Sequence, residues 1–290
     1  PREPVVGPGG HASLAEAIAS AKPGQTIHVK PGTYRGSAVI TGSVTIQGDG
    51  PRGSVILESD SGPVLTLSGN ARVSGLTIRF TGSSQTDAVR ITGGSPTIRE
   101  CTVTSTAAAT APTWSACIAV DGGSPAVTGN NLSGSRGMGF LARGGSPKVS
   151  GNTFKANAIY GAWYTDGAGG TFEDNTVTGS GKSGIGIKGG ANPTISNNTI
   201  SNNTENGIFV YQGGKGTIRG NTLSGNGWSG IQAGLGGTAV LVADNRITDN
   251  RKHGIHAHGS GSSAVLGANT LSGNAGENEK AENGGQLIRR

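Results

Sequence analysis

An asparagine that returns at a nearly constant interval is the feature that most constrains how this chain can fold. The series consists of Asn130, Asn152, Asn175, Asn198, Asn221, Asn245 and Asn269. Its members are separated by 22, 23, 23, 23, 24 and 24 residues. A period of this length indicates a repeat architecture in which each unit stacks on its neighbours. We therefore predict one elongated domain, although a chain of 290 residues would accommodate two globular ones.

Each repeat has the pattern of three short strands separated by bends. Around the central marker, Ile195 belongs to the first strand, Ile200 to the second and Ile208 to the third, while Asn198 and Asn203 occupy bends. Strands that recur in one direction at this period cannot form hairpins, so equivalent strands of successive coils pair in parallel. Equivalent side chains then stack about 4.8 Å apart, and the asparagines form ladders that satisfy polar groups at the bends. The sequence thus predicts an all-β parallel β-helix, with the asparagines as architecture rather than a ligand site.

The N-terminal residues carry the pattern of a capping helix. Ser13 followed by Glu16 three residues later is a capping box, and Leu14 and Ile18 lie on one apolar face. We predict a helix over residues 13–21 that covers the open end of the first coil, where unpaired strand groups would otherwise invite aggregation.

The last residues differ in character from the repeats. Residues 276–290 are rich in charge and lack the coil pattern, which predicts a polar tail or linker after a β-helix domain spanning 1–275. The chain starts at Pro1 without a basic and apolar leader, so we expect any targeting segment to have been removed or to lie outside it. Both features favour a module of a larger protein, and we expect a secreted or cell-surface location.

The two cysteines lie in one coil that also carries an insertion. Cys101 and Cys117 are read either as two small buried apolar residues or as a single disulfide. Two thiols without a nearby histidine do not predict a metal site. The threonine-rich segment 104–113 lengthens this coil, and we predict that it forms a surface loop.

Composition narrows the classes of partner. The 54 glycines would suggest disorder if they were scattered, but they fall at fixed offsets around the Ile-x-Ile runs. A net charge of +6 permits an anionic partner, yet charged residues make up only 14% of the chain. We do not expect nucleic acid as a partner, because its binding needs a basic stripe with stacking aromatics. No apolar run approaches the roughly 20 residues that cross a bilayer, so no membrane span is predicted.

The turn-Asn-x-Ile and Gly-Ile-x-Ile units, together with the N-terminal text AKPGQTIHVKPGTY, resemble the right-handed parallel β-helix repeat proteins of the pectate-lyase-like superfamily. The resemblance extends over residues 13–274 and implies a right-handed, single-stranded coil with three strands per turn. It implies no single activity, because the superfamily includes polysaccharide lyases, glycoside hydrolases, uronate epimerases, esterases, phage tailspikes and binding-only modules. The acidic clusters that such hydrolases or calcium-dependent lyases use are not visible in the sequence, and we expect no cofactor.

Alternation along the third strand of each repeat maps the outer surface. Where Ile208 and Val210 point into the coil, Phe209 and Tyr211 point outward. The equivalent outward pairs are Ala119 and Asp121, Leu141 and Arg143, Trp163 and Thr165, Gly186 and Lys188, Gln232 and Gly234, and His256 and His258. This face combines aromatic rings with basic and amide groups, a mixture suited to sugar rings and their carboxylates. The predicted ligand-binding residues are Arg143, Trp163, Lys188, Phe209, Tyr211, Gln232, His256 and His258.

Three functions fit this face. We favour binding of a polysaccharide, including uronate-containing chains, because paired acids and bases are scarce. The first alternative is a polysaccharide lyase or uronate epimerase, in which Arg143 or Lys188 neutralises a uronate carboxylate. These two residues are two coils apart, about 10 Å by strand spacing, which is the reach of adjacent sugar units. In that enzyme Lys188, Tyr211 or His256 would move a proton at the sugar carbon. The second alternative is a protein-interaction scaffold that uses the extended surface without chemistry.

Several polar residues near this face have structural explanations. Asp121 and Asp166 precede glycines, where aspartates commonly form turns. His253 lies in a bend, again before a glycine. His256 and His258 alternate as a metal-binding pair would, but no third ligand is evident, so no metal site is predicted.

Overall fold

A computed structural model describes residues 2–105 and 111–290 and shows three parallel β-sheets wound from one chain. Each coil contributes one strand to each sheet in turn, and we name the sheets A, B and C in that order. Neighbouring strands within a sheet come from successive coils and pair in parallel throughout, as between Ile208–Tyr211 and Ile231–Gly234. The predicted fold, an all-β right-handed parallel β-helix with three strands per coil, is confirmed.

The bounds of the strands are as follows. Sheet A contains Val5–Val6, Thr26–Val29, Thr45–Gly48, Arg72–Ser74, Thr97–Arg99, Ala126–Thr128, Lys148–Ser150, Thr171–Glu173, Thr194–Ser196, Thr217–Arg219, Thr238–Ala243, Ser263–Leu266 and Gln286–Arg289. Sheet B contains Gly32–Arg35, Val55–Ser59, Thr77–Phe80, Thr102–Ser105, Asn131–Leu132, Thr153–Lys155, Thr176–Thr178, Thr199–Ser201, Thr222–Ser224, Arg246–Thr248 and Thr270–Ser272. Sheet C contains Ala38–Ile40, Leu65–Leu67, Val89–Ile91, Ala116–Val120, Met138–Ala142, Ala162–Tyr164, Ile185–Ile187, Ile208–Tyr211, Ile231–Gly234, Ile255–His258 and Glu279–Glu282.

The interior of the coil is a continuous apolar column. Ile195 of sheet A, Ile200 of sheet B and Ile208 of sheet C are fully buried, and each stacks on the equivalent residue of the next coil. Removal of this apolar surface from water is the main stabilising contribution, because the coils bury apolar side chains from all three sheets.

Asparagine ladders hold the bends. Asn198 donates through Nδ2 to Asn221 Oδ1 at 2.9 Å and to the Phe172 carbonyl at 2.9 Å. The same arrangement runs from Asn130 to Asn269. A second ladder at the next bend links Asn203 and later asparagines. The predicted ladders are confirmed, and they pair buried amides that would otherwise cost free energy.

The N-terminal cap is also present. The helix Leu14–Ser20 begins after Ser13, whose side-chain oxygen accepts a hydrogen bond from the Glu16 backbone N–H at 3.2 Å. Leu14 and Ala17 are buried against the coil. Among the described residues, no helix is long and apolar enough to cross a membrane.

The prediction of a tail or linker from residue 276 is wrong. Glu279–Glu282 pairs in parallel with Ile255–His258, and Gln286–Arg289 pairs with Ser263–Leu266, so this segment forms another coil. The error arose because backbone pairing does not require apolar residues at every inward position. A sequence signal existed, since Asn274 follows Asn250 by 24 residues and continues the second ladder.

The coil with the two cysteines behaves as the simpler interpretation predicted. Cys101 and Cys117 are buried and free, so they act as small apolar residues rather than as a disulfide. Burial raises the pKa of the Cys101 thiol to about 11 and that of Cys117 to about 12, which keeps both protonated. Of the predicted loop 104–113, Thr104 and Ser105 belong to the strand Thr102–Ser105, and residues 106–110 lie outside the described residues.

Candidate functional site

The outward face of sheet C has the register that alternation predicted. One column of stacked residues consists of Ala119, Leu141, Trp163, Gly186, Phe209, Gln232 and His256. In the second column, Tyr211, Gly234 and His258 follow one another, while Ile208 and Val210 of the same strands are fully buried inside. The predicted geometry of the face is therefore correct.

Four aromatic side chains gather on this face, and we call Tyr160, Trp163, Phe209 and Tyr211 the aromatic strip. The rings of Tyr160 and Trp163 stack with centroids 5.9 Å apart, and those of Phe209 and Tyr211 stack at 4.4 Å. A methyl group at Gly186 would lie 2.9 Å from Trp163 Cδ1, so the absence of a side chain there makes room for the indole. Trp163 and Phe209 are only half-buried and keep surface for a ligand.

Tyr211 differs from the exposed residue that we predicted. It lies on the outward face, but only 8% of it is accessible, because its hydroxyl reaches back across the preceding coil. There it accepts a hydrogen bond from Trp163 Nε1 at 3.1 Å and bonds with the Tyr160 hydroxyl at 3.2 Å. Burial raises the pKa of Tyr211, so its phenol stays protonated and is poorly suited to act as a base. The Tyr211 hydroxyl thus links the Tyr160–Trp163 pair to the Phe209–Tyr211 pair through hydrogen bonds.

Arg143 is also engaged within the protein. Its Nη2 contacts Asp87 Oδ2 at 2.8 Å, and its Nε contacts Asp121 Oδ1 at 2.7 Å. Arg90 Nε contacts the other Asp121 oxygen at 2.6 Å. We call these four residues the arginine–aspartate network. Because its two carboxylates neutralise its two guanidinium groups, Arg143 is poorly suited to bind a uronate carboxylate. This pairing argues against the role that the enzyme alternative gave to Arg143.

Asp121 is therefore more than the turn residue that we predicted. Burial raises the pKa of its carboxyl, but hydrogen bonds from Arg143 and Arg90 outweigh this and hold the pKa below its usual range. Asp166 does fulfil the prediction of a turn, because its φ of 53° places it in the left-handed region before Gly167.

Lys188 carries the cation on this face that remains available. Its Nζ lies 5.4 Å from the centre of the Trp163 ring, a cation–π distance. Within residues 2–105 and 111–290, no carboxylate lies within 4.0 Å of this ammonium group. Gln232, one coil beyond Phe209, is half-buried and has its amide nitrogen near Gly234. Lys188, on the coil between those of Trp163 and Phe209, and Gln232 thus place polar groups beside the aromatic rings.

The far end of the face is occupied by a group of histidines. His256 Nε2 lies 3.0 Å from Glu282 Oε1, and His258 Nδ1 lies 3.2 Å from the same oxygen. The His253 and His256 rings lie with their centroids 4.7 Å apart and are tilted by 55° to each other. We call these four residues the histidine cluster. Burial lowers the pKa of His256, and the hydrogen bond that it makes to the Glu282 carboxylate offsets this only in part.

The opposite end of the face is covered by a second apolar layer. Ala116, Met138 and Leu141 point outward but are buried, and Tyr160 and Ile159 pack with them. Trp114, which follows the inserted segment, lies with its ring centroid 5.3 Å from that of Trp163. The first outward column is therefore buried at Ala119 and Leu141 and becomes accessible to solvent at Trp163.

Three contributors to this face were missed from sequence. Tyr160 precedes its strand, where period-2 alternation no longer applies, and Asp87 lies 56 residues from Arg143. Glu282 belongs to the segment that was read as a tail. Only Glu282 had a usable signal, because its spacing of 24 residues from His258 continues the repeat.

Comparison with known proteins places this architecture among solved folds. The chain matches a sequence-family model described as "Right handed beta helix region" over residues 34–181 and 140–288. The two matches overlap and together cover most of the chain. A comparison with curated protein sequences found no match.

Several solved structures share the coil. The periplasmic alginate epimerase AlgG has a TM-score of 0.60 and 15% identity, with 91% of this chain and 76% of that chain covered. The Dettilon tailspike protein has a TM-score of 0.64 and 17% identity, covering 91% and 64% of the two chains. An alginate lyase from Paenibacillus sp. strain FPU-7 has a TM-score of 0.55 and 15% identity, covering 96% and 95%. Identities this low show a shared fold and no more.

Proposed function

Because the chain belongs to the family of proteins with a right-handed beta helix region, we propose that it binds an acidic polysaccharide on the outward face of sheet C. The observation that carries this proposal is the aromatic strip with Lys188 beside it. Half-buried rings offer apolar surface to the faces of sugars. Lys188, which has no carboxylate within 4.0 Å in the described part of the chain, can form an ion pair with a uronate.

The dimensions of the strip suit an extended chain rather than a small ligand. Trp163 and Phe209 belong to strands two coils apart, which places their backbones about 10 Å from each other. Two rings at this spacing can stack under separate sugar units of one polymer, with Lys188 lying between them. Names of solved structures with this fold include an alginate epimerase and an alginate lyase, which makes alginate the first ligand to test.

We favour recognition over turnover because the three proposed proton carriers do not form a convergent acid and base. The hydroxyl of Tyr211 is buried and hydrogen-bonded, and His256 is paired with Glu282. Lys188 lies on the indole of Trp163. His256 is two coils away from Tyr211, about 10 Å by strand spacing. The two side chains are therefore too far apart to act as acid and base at the same sugar carbon.

Affinity electrophoresis in gels that contain alginate, polygalacturonate or neutral dextran tests the proposal. We expect retention by the two acidic polymers and little by dextran. Phe209→Ala should weaken retention about fivefold, since loss of one stacking ring costs about 1 kcal/mol. Lys188→Gln should weaken binding to acidic polymers and reduce its dependence on salt.

A matched control uses the second pair of tryptophan and lysine on the chain. Trp228 lies 38% exposed at a bend outside the aromatic strip, with Lys252 Nζ 4.8 Å from its ring centre. Trp228→Ala should leave retention unchanged. Equal loss in this variant, or no retention by any polymer, would exclude the proposed face. Appearance of unsaturated uronate products, detected by ultraviolet absorbance, would identify a lyase instead.

A further inference from the structure

The histidine cluster brings ligand atoms from two successive coils together. His253 comes from a bend, His256 from the strand Ile255–His258, and Glu282 from the strand Glu279–Glu282. One ligand atom from each lies within 4.8 Å of the other two. The aromatic strip does not include these residues, and the proposed polysaccharide binding does not depend on them.

We propose that His253, His256 and Glu282 bind a divalent transition-metal ion of the zinc class. Two imidazoles and one carboxylate are a donor set that zinc accepts, with a fourth position left for water or another ligand. Atoms bound to one tetrahedral zinc lie about 3.3 Å apart, given metal–ligand bonds of about 2.0–2.1 Å. His256 Nε2 and Glu282 Oε1 are 3.0 Å apart and already have nearly this separation. When the ion binds, the proton of this hydrogen bond leaves Nε2, either for Nδ1 of the same ring or for solvent.

His253 must adjust when it joins the other two ligands. Its Nδ1 accepts a hydrogen bond from the Glu277 backbone N–H at 3.0 Å, so the neutral ring carries its proton on Nε2. Ligation through Nε2 moves this proton to Nδ1 and releases the Glu277 N–H to solvent. His253 is half-buried, and its ligand atom already lies within 4.8 Å of those of His256 and Glu282.

His258 completes the site as a supporting residue. It hydrogen-bonds Glu282 Oε1 through Nδ1 at 3.2 Å and so orients the carboxylate. Partners of this kind commonly contribute ten- to hundredfold in metal affinity. The two imidazole ligands select zinc-class ions over calcium and magnesium, which prefer oxygen donors.

His28 provides a matched control within the same chain. It also contacts two carboxylates, with Nε2 3.0 Å from Glu3 and Nδ1 2.8 Å from Asp49. These carboxylates lie on opposite sides of the ring, so three donor atoms cannot converge on one ion. Contact between histidine and carboxylates is therefore not sufficient for the proposed site.

Isothermal titration of the full, untagged chain with Zn²⁺ after chelator treatment tests the site. We expect one ion per chain, loss of at least a hundredfold in affinity in Glu282→Gln and His253→Gln, and about a tenfold loss in His258→Gln. His28→Gln should bind as the wild type does. Substitution with Co²⁺ should give the visible absorption of a four-coordinate ion, and Ca²⁺ should not compete.

Circular dichroism melting of each variant distinguishes lost binding from lost folding. His253 and Glu282 are both partly exposed, so their glutamine variants should fold even if substitution of buried His256 does not. The proposal is overturned if the wild-type chain takes up no zinc. It is equally overturned if Glu282→Gln and His253→Gln, shown to be folded, bind zinc with unchanged affinity, or if Ca²⁺ displaces it.

Discussion

The asparagine ladder and the outward face of sheet C come from the same repeat, but they use repetition in opposite ways. In the ladder every coil contributes the same residue, and each amide bonds the next at 2.9–3.2 Å. On the face, Trp163, Gly186, Phe209, Gln232 and His256 follow one another with no two alike. The ladder is constrained because each asparagine satisfies buried backbone and amide groups of the neighbouring coils. The face has no such constraint, so specific binding chemistry can develop there without disturbing the coil.

Replacing one ladder residue should give the largest loss of stability. Asn198→Leu leaves the buried Phe172 carbonyl and the Asn175 backbone N–H without their partners. Each buried group without a hydrogen bond costs about 1–3 kcal/mol, so we expect the free energy of unfolding to fall by about 3 kcal/mol. Guanidinium denaturation followed by circular dichroism would measure the change.

The end of the same ladder provides the comparison. Asn269 is only half-buried, and water can reach the groups that its substitution exposes. Asn269→Leu should therefore cost clearly less than Asn198→Leu. If the two substitutions lower the free energy of unfolding equally, the buried hydrogen bonds of the ladder do not determine its contribution to stability. The proposed difference between the ladder and the outward face would then be wrong.

Tyr211→Phe should give an intermediate effect, although the residue points out of the coil. The substitution keeps the ring that stacks on Phe209 but removes the hydroxyl shared by Trp163 Nε1 and Tyr160. We expect a loss of about 1–2 kcal/mol and a change in tryptophan fluorescence as the indole is released. Phe209→Ala is the control, with the smaller loss of stability. If Tyr211→Phe changes neither the free energy of unfolding nor the tryptophan fluorescence, the Tyr211 hydroxyl does not stabilise the aromatic strip.

The sequence was sufficient to predict the fold and the register of the face, because both follow from local periodicity. Spacing between asparagines defined the coil, and alternation around Phe209 identified the outward residues. Side-chain contacts between different coils could not be predicted from periodicity, because they depend on how far and in which direction each side chain extends. The Tyr211 hydroxyl crosses to Trp163, and Arg143 reaches Asp87 over 56 residues of sequence. A residue that points outward can therefore be buried or already paired.

The arginine–aspartate network should give the smallest effect and one that depends on pH. The pKa of Asp121 lies below its unfolded value of about 3.9, so its stabilisation is fully present above that pH. As the pH falls toward the folded pKa, the carboxylate is protonated and the stabilisation is lost. Asp121→Asn should therefore be less stable than the wild type by about 1 kcal/mol near neutral pH, with the difference shrinking below about pH 4.

Urea denaturation of both proteins between pH 7 and pH 3 would measure this convergence. A parallel series at 1 M salt should show a smaller difference at every pH, because the ion pairs are partly accessible to solvent and are screened. A difference that widens on acidification would mean that burial, rather than Arg143 and Arg90, dominates at Asp121.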